Sequence, residues 1–232
     1  MVGVDVIARA RKEGRTVLTE VESKELLREA GIPVVETSLA RTSREALAHA
    51  ERLGYPVVMK IVSPDILHQS DVGGVRLGVR SQAEARLAYR ELLAAAARAN
   101  PGAILHGVSV QRQAAPGVEV VVGMAKDPQF GPFLMFGLGG VLVEVLNDVA
   151  FRLVPLARRD ARAMVREVKG YPLLAGHRGQ PPVDTVALEQ ALLALSRFAE
   201  AHPEIRELDL NPVLAYPQGV LAVDARVVLE GA

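Results

Sequence analysis

The stretch Glu207-Leu-Asp-Leu-Asn211 alternates polar residues with leucines. A strand there sets Glu207, Asp209 and Asn211 on one face and Leu208 and Leu210 on the other. A turn centred between Pro217 and Gln218 places Asn211 opposite Asp224 of the returning strand, with Cβ atoms about 5 Å apart. An amide oxygen and carboxylates at that spacing suit Mg²⁺, a hard cation that takes one or two protein ligands and completes its shell with water and phosphate oxygens. The same alternation is also what a half-buried edge hairpin with a solvated face shows.

Three further segments carry residues that could handle phosphate. Lys60 lies inside the apolar run Val57-Val-Met-Lys-Ile-Val62, where an ammonium must either snorkel to water or meet an anion. His68 sits in a loop that ends in Asp71-Val-Gly-Gly74. Paired glycines can turn backbone N–H groups toward an oxyanion, and a neutral imidazole held there could accept a phosphoryl group; a lone loop histidine can equally be inert. Phe136-Gly-Leu-Gly139-Gly140, followed by Glu144 and Asp148, is either a phosphate-covering turn or a plain tight hairpin. It has neither the strand-to-helix dinucleotide fingerprint nor the Gly-Lys-Ser/Thr of a P-loop. His49, His106, His177 and His202 have no comparable setting.

The elements that must position these groups read as α+β. Thr19 and Glu22 form a capping-box pattern that opens a helix stopped by Gly31 and Pro33, and Ser43 opens a second helix to about Leu53. Strands are expected over 34–38, 57–62 and 75–79, followed by an alanine-rich helix from Ser81 to about Ala99. Further strands are expected over 108–113, 118–124, 133–136, 141–146 and 151–156, with helices near 159–168 and 184–201. A hairpin of strands 205–215 and 220–227 closes the chain. The expected organisation is a helical extension (1–19), a first α+β subdomain (20–107) and a second (108–232).

Composition narrows the classes. The chain has 232 residues, half of them hydrophobic, enough for one large or two small domains and to fill a core. Its 27 basic and 27 acidic side chains balance, which argues against a protein that coats nucleic acid or an acidic membrane. No apolar run approaches the roughly 20 residues of a membrane span, and Asp5 and Glu13 near the N-terminus argue against a secretory signal. With no cysteine, disulfides, thiolate metal sites and thiol nucleophiles are excluded. That composition fits a cytoplasmic setting.

Seven segments, taken in order, resemble one family: Glu22-Ser-Lys-Glu-Leu-Leu with Ala30-Gly-Ile-Pro33; Tyr55-Pro-Val-Val-Met-Lys60; Leu67-His68 with Ser70-Asp-Val-Gly-Gly-Val75; Gly117-Val-Glu119; Asp127-Pro-Gln-Phe-Gly-Pro132; Phe136-Gly-Leu-Gly-Gly-Val141 with Glu144; and Asp209-Leu-Asn-Pro212. Over about residues 20–228 the chain is similar to the ATP-grasp subunit of ADP-forming acetyl-CoA synthetases, relatives of succinyl-CoA synthetase. The resemblance implies an ATP-grasp fold with ATP between two α+β subdomains. It also implies a reaction that interconverts acyl-CoA, ADP and phosphate with acid, CoA and ATP.

By that resemblance Lys60 binds ATP phosphates and His68 takes phosphate near the nucleotide. Gln111, Arg112, Gln113 and Ala114, with Glu119, fall at the adenine-binding hinge and its flanking strand. Gly139 and Gly140 belong to a nucleotide-binding turn, Asn211 and Asp224 match Mg²⁺ ligands, and Asp209 matches a carboxylate that contacts the histidine or its phosphate. The implied cofactors are ATP or ADP and Mg²⁺, and the implied partner is a CoA-binding α subunit in an α2β2 assembly. Gln69 departs from the lysine more usual in the family at that place. Two other readings compete: a non-catalytic ATP-binding regulatory module of an acyltransferase, and a carboxylate–amine ligase, which has no use for a phosphorylated histidine.

Overall fold

The computed structural model describes residues 2–66, 69–140 and 148–231. His68, Leu67 and the expected strand 141–146 with Glu144 lie outside the described residues. The chain divides into two compact units, a smaller one of residues 19–22 and 35–115 and a larger one of 1–18, 23–34 and 116–232.

The smaller unit contains β1 (Thr37–Ala40), α3 (Ser43–Leu53), β2 (Val57–Val62), a 3-10 turn (Ser70–Val72), β3 (Val75–Val79), α4 (Gln82–Ala99) and β4 (Gly107–Arg112). Its sheet runs β1-β4-β2-β3, with every neighbouring pair antiparallel. Val57, Met59 and Ile61 of β2 and Val108 and Val110 of β4 pack with Leu47 of α3 and Tyr89 and Leu92 of α4. Period-two alternation puts Val58, Lys60 and Val62 on the opposite face, beside Ser109 and Gln111 of β4. Thr42, not Ser43, caps α3 by accepting from the Glu45 N–H at 3.2 Å.

The larger unit contains α1 (Val2–Lys12), most of α2 (Glu20–Glu29), β5 (Val118–Asp127), β6 (Gly131–Leu138), β7 (Val149–Leu153), α5 (Arg158–Glu167), α6 (Tyr171–Leu174), α7 (Thr185–Ala201), β8 (Ile205–Ala215), β9 (Val220–Ala222) and β10 (Arg226–Leu229). The strands order as β10-β8-β5-β6-β7, with β9 also pairing β8. One face is apolar: Val122, Met124, Leu134, Phe136, Leu208 and Leu210 pack with Met164 and Val165 of α5 and with Leu188, Leu192 and Leu195 of α7. Burial of each such side chain contributes about 1.5–3 kcal/mol.

The units do not divide where the sequence suggested. The strand at 107–112 lies between β1 and β2, so it belongs to the smaller sheet, and that unit ends at residue 115. Residues 1–18 are not a separate extension: Leu18 N–H donates to Val227 O at 3.0 Å, and Val6, Ile7 and Ala10 join the larger core. The expected strand 220–227 is two strands, interrupted at residues 223–225. No helix among the described residues is long and apolar enough to cross a membrane.

Asp184 fixes the start of α7 and the terminal hairpin together. Its carboxylate accepts from the Ala187 N–H at 2.9 Å and the Gly219 N–H at 3.1 Å. Those two backbone bonds, Ala187 first, hold its carboxyl below the usual aspartate value. A depressed folded pKa means the charge stabilises the fold above the unfolded pKa of about 3.9, and that stabilisation is lost as pH falls through the folded value. Asp184→Ala is expected to cost about 1 kcal/mol in urea unfolding at neutral pH. Asp184→Asn is expected to flatten the acid limb of the stability curve, measured by urea midpoints from about pH 2 to 6.

Candidate functional site

In the smaller unit, Lys60 lies in a strand whose six residues are all buried. Its Nζ donates to Glu20 Oε1 at 2.9 Å, with side-chain exposures of 7% and 3%. The lysine therefore meets an anion and does not snorkel, and the anion is a carboxylate of its own chain. Gln111 is buried, and its Oε1 accepts from Thr37 Oγ1 at 3.3 Å. Arg112 ends β4 and is exposed; Gln113 is exposed and receives the Gly78 N–H at 2.9 Å, and Ala114 follows outside the strand. Among these four, Gln111 alone shares the buried polar face with Lys60, because it pairs with Val58, two residues away on β2.

His68 falls outside the described residues, but the loop after it is closely built. Gly74 O accepts from Ile61 N–H at 2.8 Å, which pins the loop to the residue after Lys60. Gly74 N–H donates to Gln69 O at 2.7 Å and Gly73 N–H to Ser70 O at 3.1 Å, with Gly73 in the left-handed region at φ 67°. On the other side, Asp65 accepts from Ile104 N–H at 2.7 Å. A Cβ on Gly74 would stand 2.7 Å from Ile61 Cγ2 and 2.8 Å from Gln69 O, so the glycine is required.

In the larger unit, antiparallel register aligns Arg226, Asp209, Gly123, Met135 and Phe151 across β10, β8, β5, β6 and β7. This row lies on the face away from the helices. It lines a cleft of about 340 Å³ together with Ala125, Phe133, Glu207 and Val228. Gly123 has no side chain between Asp209 and Met135, and that gap opens the depression. Asp209 reaches solvent in this concavity, yet the surrounding protein desolvates it and pushes its carboxyl above the usual range. The Arg226 charge pulls it back down and Asp224 adds to the rise.

One step along β8 the ladder is irregular on both sides. Toward β5, Asn211 and Pro212 stand against Val121 alone, a bulge that re-aims side chains. Pro212 has no N–H to give. Toward the hairpin, Val213 pairs with Ala222 and Asp209 with Arg226, the register set by the turn position, while the ladder lapses at the level of Asn211 and Asp224. Val223 N–H still reaches Pro212 O at 2.9 Å, so the chains stay adjacent there. Two oxygen-donor side chains at a ladder break fit a cation that needs only one or two protein ligands. Among the described residues there is no cluster of three or more His, Asp or Glu with metal-holding geometry.

Glu119 is exposed on the same face of β5, four residues before Gly123, and its carbonyl accepts from Gly139 N–H at 2.7 Å. A Cβ on Gly139 would stand 2.9 Å from Glu119 Cβ, and Gly140 takes φ 65°. The glycine-rich segment is therefore less a turn than the end of β6, because Gly137 and Leu138 still pair with β5. Asp148 is structural: it is buried, and its oxygens accept from the Lys169 and Gly170 N–H groups at 2.8 and 2.7 Å.

Two residues escaped the reading of the sequence. The hairpin register expected from the turn, which would set Asn211 opposite Asp224, also sets Arg226 against Asp209. Glu20 stands at the first position of α2, where an acidic residue is expected for the helix dipole alone.

An ATP-grasp domain model matches residues 9–229. Over 225 residues the chain is 48% identical to acetate–CoA ligase (ADP-forming) I subunit beta of Pyrococcus furiosus, covering 97% of each chain. It is 46% identical to acetate–CoA ligase (ADP-forming) I of Archaeoglobus fulgidus, where it covers 97% of this chain and 33% of that longer one. Among solved structures it resembles Ca. Korarchaeum cryptofilum dinucleotide forming acetyl-coenzyme A synthetase 1, bound to coenzyme A and Mg-AMPPCP with a phosphohistidine segment pointing towards the nucleotide binding site. The TM-score is 0.88 at 46% identity, over 98% of this chain and all of that one.

The Gly74 geometry yields a direct test. Gly74→Ala is expected to displace the histidine loop and to slow ATP-dependent phosphorylation of the protein about ten-fold or more, measured by acid-labile phosphate. Gly231→Ala, with nothing within 4 Å of the new Cβ, should leave that rate unchanged.

Proposed function

The chain belongs to the ATP-grasp family, as the β-type chain of ADP-forming acetyl-CoA synthetases, and from that membership we propose how it divides the labour of acid–CoA ligation. It performs the nucleotide half of the reaction: phosphate passes between ATP and His68, and the acyl and CoA steps belong to a CoA-binding α chain in an α2β2 assembly. Acetate, or a similarly short carboxylic acid, is the substrate the relatives' names suggest. A cytoplasmic setting suits a chain that draws on ATP. The observation that carries this reading is the gathering of Asp209, Arg226, Asn211 and Asp224 around one irregular stretch of β8.

Phosphoryl transfer asks the protein chiefly for positioning and charge stabilisation. Lys60 holds nucleotide phosphates through a charge-assisted hydrogen bond. Asn211 and Asp224 would hold Mg²⁺, which when bound neutralises charge on the phosphate oxygens. His68 is the nucleophile on phosphorus. Asp209 orients its imidazole and steadies the cation formed on phosphorylation, and Arg226 stands across the strand pair to meet phosphate oxygens. Glu119, Gly139 and Gly140 keep the glycine-floored face of β5 and β6 open for the nucleotide, while Gln111 to Ala114 supply backbone and side-chain polar groups toward the base.

The test is reconstitution. With a CoA-binding companion chain, Mg-ATP, CoA and acetate, acyl-CoA is expected to form, and the purified chain alone should make none. His68→Ala should reduce acyl-CoA formation to below about 1% while nucleotide affinity stays within about two-fold. Synthesis by the chain alone, or a fully active His68→Ala enzyme, would contradict the assignment.

A further inference from the structure

We infer that Glu20 is a positioning residue for Lys60: its carboxylate keeps the ammonium charged and fixed on the sheet so that it meets nucleotide phosphate already aligned. The inference rests on the reading of Lys60 as the phosphate-binding lysine. Both side chains are almost completely buried and joined at 2.9 Å, and both belong to the smaller unit. Lys60 stands between Val58 and Val62 on its face of β2, with Ser109 opposite it on β4. In such surroundings an ammonium without a counter-ion gives up its proton sooner than bear the desolvation, and a neutral amine cannot make the charge-assisted bond to phosphate.

The local sequence is built to deliver this carboxylate. Glu22 closes the helix cap: its Oε2 accepts from Thr19 N–H at 2.8 Å and Oγ1 at 2.9 Å, while Thr19 Oγ1 accepts from Glu22 N–H at 3.4 Å. The cap holds the backbone around residue 20, from which the Glu20 carboxylate meets Lys60 on β2. An ammonium carries three N–H donors. Glu20 Oε1 accepts from one of them at 2.9 Å.

The experiment is calorimetric titration of the 232-residue chain with Mg-ATP, for wild type, Glu20→Gln, Lys60→Met and the double variant. Glu20→Gln is expected to bind about ten-fold or more weaker, and the double variant no weaker than Lys60→Met alone. That lack of additivity is the readout a purely structural role would not give. Affinity of Glu20→Gln within about two-fold of wild type, or tighter, overturns the inference, as does a loss that adds in full to that of Lys60→Met. Wild-type affinity in Lys60→Met overturns the lysine reading itself, which separates the two failures. If Glu20→Gln does not fold, Glu20→Asp takes its place: a loss of about three-fold or more supports the inference, and wild-type affinity overturns it.

Discussion

A charged lysine inside a strand buried at every residue can persist only beside an anion, and the smaller unit is arranged to supply one. β2 must be apolar on one side to pack Val57, Met59 and Ile61 under α3 and α4. Its other side can then carry a polar group only if that group is satisfied within the protein. Glu20 satisfies Lys60, Thr37 bonds Gln111, and Gly74 closes the histidine loop against Ile61. The strand thereby orders a cation, a polar neighbour and the root of the loop that carries His68.

The larger unit solves a different problem, that of keeping one sheet face bare. Its helices and leucines occupy one side, and the other is floored by glycine at 123, 137 and 139. Along β8 the regular ladder delivers Asp209 beside Arg226. The bulge at Asn211 and Pro212 then breaks the pattern one step further along the strand. Regular pairing sets the row of residues, and the irregularity re-aims the side chains beside it.

Much of this was legible in the sequence where the signal is local. The bounds of β2, β3 and β8, the Ser81 cap of α4 and the Thr19–Glu22 box follow from alternation and capping chemistry, and the hairpin register follows from its turn. The limits of the units were not legible, because β4 inserts between β1 and β2 through non-local pairing that no nearby residue announces. The break at residues 223–225 was hidden because Val220 to Val223 reads as an unbroken apolar run. Glu20 was hidden for a related reason: at a helix start a glutamate explains itself, and its bond to a strand 40 residues away leaves no periodic trace.

In the proposed division of labour this chain carries phosphate on its own histidine. Intact-mass and peptide mapping after incubation with Mg-ATP, with and without the companion chain, tests it most directly. Acid-labile phosphate is expected on the peptide containing His68, and none in His68→Ala. Nucleotide binding with no phosphate on the protein, even beside the correct companion, would contradict it.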